Sequence, residues 1–186
     1  MTVGILALQG DYYLHSKLLT DNGINYLYIK KPNQLNNVDC LIIPGGESMV
    51  ILKLLMKYNF LDILKRFSEK KSIFGTCAGA ILMSNSTYDN MDVLNYINVS
   101  STRNYWGRQI NSFSDKISLS FRSRKFNAHF IRAPKFQCLS DDLEVLSHYN
   151  DTPILIRNKH HLIASFHPEM TNDFSIHKFF LGMANV

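Results

Sequence analysis

Three short apolar runs, each shut off by glycine, constrain this chain more than any other feature of it. Val3 to Leu8 ends in Gln9-Gly10-Asp11, Cys40 to Ile43 ends in Pro44-Gly45-Gly46, and Ser72 to Phe74 runs into Gly75-Thr76-Cys77-Ala78-Gly79. Runs this short and this apolar read as strands buried on both faces. Ile24 to Ile29 reads as a further strand of the same kind. Helical spacing fills the intervals: Leu14, Leu18 and Leu19 before Asn22-Gly23, then residues 50–71 with a break near Asn59, then a helix beginning over Ala78 to Met83. Strands alternating with helices predict a parallel sheet covered on both sides, which binds ligands at the carboxyl ends of its strands. Gln9, Gly46 and Cys77 all fall just past such ends.

After about residue 95 the pattern shortens to β-like pieces, "KISLSFR", "FNAHFIRAP", "LEVLSHY", "PILIRN" and "HLIASFHPE", before a last helix over roughly Asn172 to Met183. Repeats, low-complexity tracts and linkers are absent, so residues 1–186 are expected to form one α/β domain. The 186 residues are 46% hydrophobic and 19% charged, ordinary for a soluble globular domain. No stretch is long and apolar enough for a membrane span. The start lacks a basic n-region, which predicts a cytoplasmic protein with no membrane partner. The net charge of +5 comes in small groups such as Lys30–Lys31, Lys65–Arg66, Lys70–Lys71 and Arg122 with Arg124–Lys125. These read as solvated faces and predict no nucleic-acid partner. Three cysteines make no disulfide framework, and no pair has metal-ligand spacing, so no metal is expected.

Cys77 has a context that calls for chemistry. "GTCAG" at a strand-to-helix junction has the form of a nucleophile elbow with cysteine in the central place. Gly75 and Gly79 relieve the crowding of that turn, and a helix N-terminus favours the attacking thiolate. The N–H of Ala78 would face the same space as an oxyanion donor. A buried cysteine on a tight turn would show the same pentapeptide, so the decisive test is a base. "FHPE" supplies one: His167 at a strand end, with Glu169 placed to fix its tautomer. "PGGES" offers Gly46 as a second oxyanion donor, with Glu47 and Ser48 available to a polar substrate; Ser48 would equally serve as a helix N-cap.

With these pieces in order the chain resembles the class I, triad-type glutamine amidotransferases, and more narrowly the glutaminase subunits of pyridoxal 5′-phosphate synthase. The narrower resemblance rests on "GILALQGD", "PGGES", "GTCAG", "RNYWGRQINSF", "FIRAP" and "FHPE", spread from residue 4 to residue 169. It implies a single-domain, flavodoxin-like three-layer sandwich with a mostly parallel central sheet. It implies hydrolysis of L-glutamine through Cys77, His167 and Glu169, with an oxyanion hole from Gly46 and Ala78 supported by Gln9. Gly46, Glu47, Ser48, Arg103, Ile131 and Arg132 match the family's glutamine-holding positions. No cofactor is implied. The implied partner is a (β/α)₈-barrel synthase subunit, which receives the ammonia in a hetero-oligomer and makes pyridoxal 5′-phosphate from ribose 5-phosphate and glyceraldehyde 3-phosphate. Partner docking is implied to complete the oxyanion loop, and the basic groups and the loop around Trp106 are candidate docking surfaces. Met49, Val50 and Ala80 depart from the usual neighbours of the motifs without removing a reacting group. Glutaminase subunits of other synthases, and a non-catalytic regulatory subunit of the same fold, are the competing readings; a cysteine peptidase lacks any sign of an extended cleft.

Overall fold

The computed structural model describes residues 1–85, 87–88, 91–92, 94–103 and 112–185. The segment carrying Trp106 and most of "RNYWGRQINSF" lies outside these described residues. The elements run β1 (Thr2–Leu6), α1 (Tyr12–Asp21), β2 (Asn25–Ile29), β3 (Cys40–Ile43), α2 (Ser48–Lys57), α3 (Leu61–Ser68), β4 (Ile73–Thr76) and α4 (Ala78–Met83). The second half holds β5 (Thr87–Tyr88), β6 (Met91–Asp92), β7 (Val99–Thr102), β8 (Phe113–Leu119), β9 (Arg122–Phe130), β10 (Lys135–Cys138), β11 (Glu144–Tyr149), β12 (Thr152–Arg157), β13 (Leu162–Ala164) and α5 (Ser175–Met183).

Seven strands form the central sheet in the order β11-β12-β13-β4-β3-β1-β2. β13, β4, β3, β1 and β2 are parallel, and β11 and β12 add an antiparallel edge. Alternate residues of each strand feed two separate cores. Leu6, Leu41, Ile43, Ile73 and Ile163 pack beneath α2, α3 and α4. Val3, Ile5, Ile42, Phe74, Leu162 and Ala164 pack against α1, α5 and the β8–β9 hairpin. That period-2 alternation, apolar on both faces, is why these strands read as continuous apolar runs, and it makes the three layers. Cys40 is a fully buried member of the second core, as expected of a small hydrophobe. Among the described residues no helix is long and apolar enough to cross a membrane.

Two of the boundaries that differ from the sequence reading have a visible cause. "KISLSFR" is not one strand: the chain reverses after Leu119, which pairs with Arg122 across the hairpin. The apolar alternation of Ile117, Leu119 and Phe121 hides the turn because Phe121 has its own apolar partner, stacking on Phe179 of α5 with centroids 4.3 Å apart. The last helix begins at Ser175 rather than near Asn172. There, Asp173 N–H donates to Thr171 Oγ1 and Ser175 N–H donates to Asp173 Oδ1, a side-chain turn that competes with helix. Arg122 then anchors Asp173 through Nη1 at 2.8 and 2.9 Å. Asn59, with φ 57°, separates α2 from α3 where the break was expected.

Helix α5 is held to the sheet by Phe180, fully buried with its ring 5.4 Å from that of Phe74. Phe180→Ala is expected to destabilise the fold by about 3 to 5 kcal/mol through the cavity it leaves. Urea unfolding measures this, and a loss below about 1 kcal/mol would show that α5 is not docked through this ring.

Candidate active site

The site is built where three parallel strands end side by side. β4 lies between β3 and β13, with Gly75 opposite Ile43 on one side and Thr76 opposite Ala164 on the other. Each strand delivers one piece: β4 the elbow, β3 the "PGG" loop, and β13 the "FHPE" segment.

Cys77 joins β4 to α4 with φ 45° and ψ −102°, a backbone that a residue bearing a Cβ adopts only under constraint. The constraint is visible. Its N–H donates to Ala164 O at 2.9 Å, and its carbonyl accepts the N–H of Ile81 at 3.0 Å. A Cβ on Gly79 would stand 2.0 Å from Ile43 O, and one on Gly75 2.8 Å from Ala80 N. Both bracketing glycines are therefore demanded by close backbone approach, as the elbow reading expects. Ala80 is completely buried in the first core.

His167 N–H donates to His129 O, which fixes the segment after β13. Its Nδ1 lies 2.7 Å from Glu169 Oε1, which leaves Nε2 for the thiol of Cys77, a fellow lining residue of the same cavity. Burial works to lower the His167 pKa. The Glu169 charge and the hydrogen bonds to Cys77 and Glu169 outweigh it, so the pKa stands well above the ordinary value. Glu169 is buried in a short turn, Pro168–Met170. Burial alone would raise its pKa, but the flanking imidazoles of His15 and His167 hold it below the usual carboxylate range. An acid kept ionised beside a base kept protonated is the charge arrangement a cysteine nucleophile needs.

The "PGG" loop is tied to the β1–α1 turn and to the base. Gln9 Oε1 accepts the N–H of Glu47 at 2.9 Å, and Gly45 O accepts the N–H of Asp11 at 3.0 Å. A Cβ on Gly45 would meet His167 Cε1 at 2.4 Å, so the loop lies directly on the imidazole. Gly46 has φ 151°, and a Cβ on it would meet Gln9 Oε1 at 2.5 Å. A cavity of about 270 Å³ opens over Cys77. Its lining includes Gly46, Glu47, Ser48, Ala78 and Gln9, together with Arg103, Ile131 and Arg132. The sequence-predicted site residues are thus all brought to one cavity except Glu169, which stands behind His167.

Ser48 is the first residue of α2 rather than its cap, and its buried Oγ has no hydrogen-bond partner among the described residues. Arg132, at φ 46°, pairs with Glu47 Oε1 at 3.3 Å across the mouth, both side chains half exposed. Ile131 O accepts from Cys77 Sγ at 3.7 Å. Burial raises the thiol pKa of Cys40 to about 12 and also raises that of Cys138, so neither resembles a nucleophile.

Four neighbours escape a reading by motif. Asp11 Oδ2 lies 3.9 Å from His167 Nδ1, while His15, Thr76 and His177 gather behind Glu169. The one signal for His15 is spacing, since it shares a face of α1 with the buried Leu18 and Leu19. Asp11, His167 and Glu169 bring three potential metal donors within 4.8 Å of one another. Nδ1 is already committed to Glu169 and the imidazole is held protonated, both of which oppose ligation.

Known proteins resemble this chain over nearly its whole length. A protein of Francisella philomiragia named pyridoxal 5′-phosphate synthase subunit PdxT is 41% identical over 183 residues, covering 98% of this chain and 99% of its own. One of the same name from Thermosipho africanus is 40% identical over 185 residues, with 98% of each chain covered. A solved structure described as a glutamine amidotransferase superposes with a TM-score of 0.92 at 38% identity, covering 99% of both chains. The pattern of the SNO glutamine amidotransferase family spans residues 5–185 of this sequence. The chain belongs to that family.

Proposed function

We propose that the chain is the glutaminase subunit of a pyridoxal 5′-phosphate synthase, with Cys77 as nucleophile, His167 as acid and base, and Glu169 as the orienting carboxylate. The observation that carries the reading is Cys77 on its constrained turn, lining with His167, itself paired to Glu169, a cavity sized for one small metabolite.

The steps follow from these positions. The Cys77 thiolate bonds to the side-chain amide carbon of L-glutamine, and the carbonyl oxygen takes up the negative charge. Gly46 and Ala78 N–H groups serve that oxyanion, with Gln9 bracing the loop that carries Gly46. His167 gives its proton to the amide nitrogen, the C–N bond breaks, and ammonia departs from a glutamyl thioester. Water then attacks the thioester as His167 accepts its proton, and glutamate leaves with the thiolate restored. The unpartnered hydroxyl of Ser48 and the cations of Arg103 and Arg132 suit the polar head of the amino acid, Arg132 exchanging Glu47 for the α-carboxylate. Ammonia passes to the synthase subunit that the curated relatives' name implies. Docking of that subunit completes the oxyanion loop, and the complex works in the cytoplasm.

Glutamate release from L-glutamine is expected to rise when the synthase subunit is added and to vanish in Cys77→Ala. Equal release with and without the partner would overturn the gating, and no release in either would overturn the enzyme. Gln9→Ala is expected to lower kcat in the complex about 10-fold or more by freeing the loop, with bound synthase unchanged; wild-type turnover would remove Gln9 from the oxyanion hole. The pH dependence has a definite sign. The proton needed by the leaving ammonia is present below the raised His167 pKa and lost as pH climbs through it. Turnover in the complex should therefore persist well above about pH 6.5 and fall at higher pH, and a fall centred at the ordinary histidine value would contradict the buried ion pair.

A further inference from the structure

Behind the triad lies a second pair of histidines that the chemistry above leaves unused. His15 and His177 are both fully buried, and Nδ1 of the first is 2.9 Å from Nε2 of the second. His15 Nε2 faces Thr76 Oγ1 at 3.3 Å and Glu169 Oε2 at 3.5 Å. Glu169 Oε1 is taken by His167, whereas its buried Oε2 has no hydrogen-bond partner among the described residues. A buried carboxylate oxygen without a donor is costly, and His15 is the group placed to relieve it.

Only one pair of tautomers satisfies this cluster. With protons on Nε2 of both rings, His177 donates to His15 Nδ1, and His15 donates into the space between Thr76 and Glu169 Oε2. The single atom left over is then His177 Nδ1, a bare acceptor, which is the ring atom of this pair found without a partner. The opposite choice would bury an orphan N–H on His177 and aim a lone pair of His15 at the carboxylate, and unpaired buried donors are the rarer and costlier defect. Phe74 and Phe174 pack on His177 with centroids 5.6 and 6.0 Å away and fix the plane of its ring.

Resting on the glutaminase reading, we propose that His15, oriented by His177, is a positioning residue of the site: its Nε2–H holds Glu169 from behind, so that the carboxylate stays aimed at His167. The anion is then gripped on each oxygen by an imidazole, one charged and reacting, the other neutral and fixed. Burial lowers the pKa of both rear histidines, that of His177 to about 3, in keeping with neutral rings. The geometry also explains an otherwise unexplained demand on α1 and α5, which place a histidine in apolar surroundings at the same depth.

The test compares His15→Leu with His15→Gln in the complex with the synthase subunit, since the glutamine amide can restore a donor near Nε2. His15→Leu should lower kcat about 10-fold or more with KM within about twofold of wild type, and His15→Gln should recover most of that loss. Equal losses in both variants would mean that the ring only fills space, and wild-type kcat in His15→Leu would remove it from the site; either overturns the proposal. Nitrogen-15 imidazole spectra of the unaltered chain decide the matter should a variant fail to fold. They should show both rings neutral and protonated on Nε2, and a proton on His15 Nδ1 or an imidazolium there overturns it. If the unaltered complex releases no glutamate, it is the glutaminase reading that falls, while the spectra still decide whether His15 donates to Glu169.

Discussion

The hydrogen bond from Cys77 N–H to Ala164 O is the contact on which the site depends. It continues the β4–β13 ladder one residue past the end of β4, at the point where the backbone of Cys77 leaves strand geometry for φ 45°. On the other flank, Gly79 lies so close to Ile43 that no side chain fits there. The turn at Cys77 is therefore clamped between its two neighbouring strands, and the same strands carry the His167 segment and the "PGG" loop. Strain of this kind, about 1 to 3 kcal/mol, persists only where surrounding structure over-determines it. Here the over-determination and the assembly of the reacting groups are one arrangement.

Electrostatics adds a second requirement. Glu169 is a buried anion, and burial on its own would protonate it. The fold answers with two imidazoles rather than with a lysine or arginine. The choice matters because a guanidinium would compete with His167 for the carboxylate. A neutral imidazole satisfies an oxygen without neutralising the charge that His167 feels. Thr76, from the last position of β4, lies 3.3 Å from His15 Nε2 and links the rear histidines to the strand that leads into Cys77.

Much of this was legible in the sequence because the relevant signals are local. Gly75, Cys77 and Gly79 announce an elbow within five residues, and His167-Pro168-Glu169 states base and carboxylate within three. The strands β1, β3 and β4 are apolar throughout because both faces are buried, which a pattern read along the chain detects. His15 and His177 carry no such signature. They lie on different helices 162 positions apart, and only the packing of α1 and α5 on one face of the sheet brings them together. The β8–β9 turn failed for the opposite reason: its local pattern looked like strand because Phe121 is apolar, and the aromatic surface of Phe179 that accommodates it is remote in sequence. The onset of α5 was displaced by a side-chain turn around Asp173 that depends on Arg122, again a distant residue.

The Glu47–Arg132 pair shows how a motif reading and its plainer alternative can both hold. Arg132 is salt-bridged, as an ordinary surface arginine would be, yet both partners line the cavity mouth. Half-exposed pairs of this kind contribute about 0 to 1 kcal/mol, so on the proposed binding mode an arriving carboxylate would displace Glu47 at little cost. The exchange would leave Glu47 free to turn toward the substrate's ammonium group, which carries the opposite charge. Since Gln9 holds the Glu47 N–H, the side chain can swing while the loop beneath it stays braced. On the proposed binding mode, a weak ion pair set on a fixed backbone would thus give the mouth of the site a charge pattern that matches an amino-acid head group in both signs, without requiring the loop beneath it to move when the substrate enters.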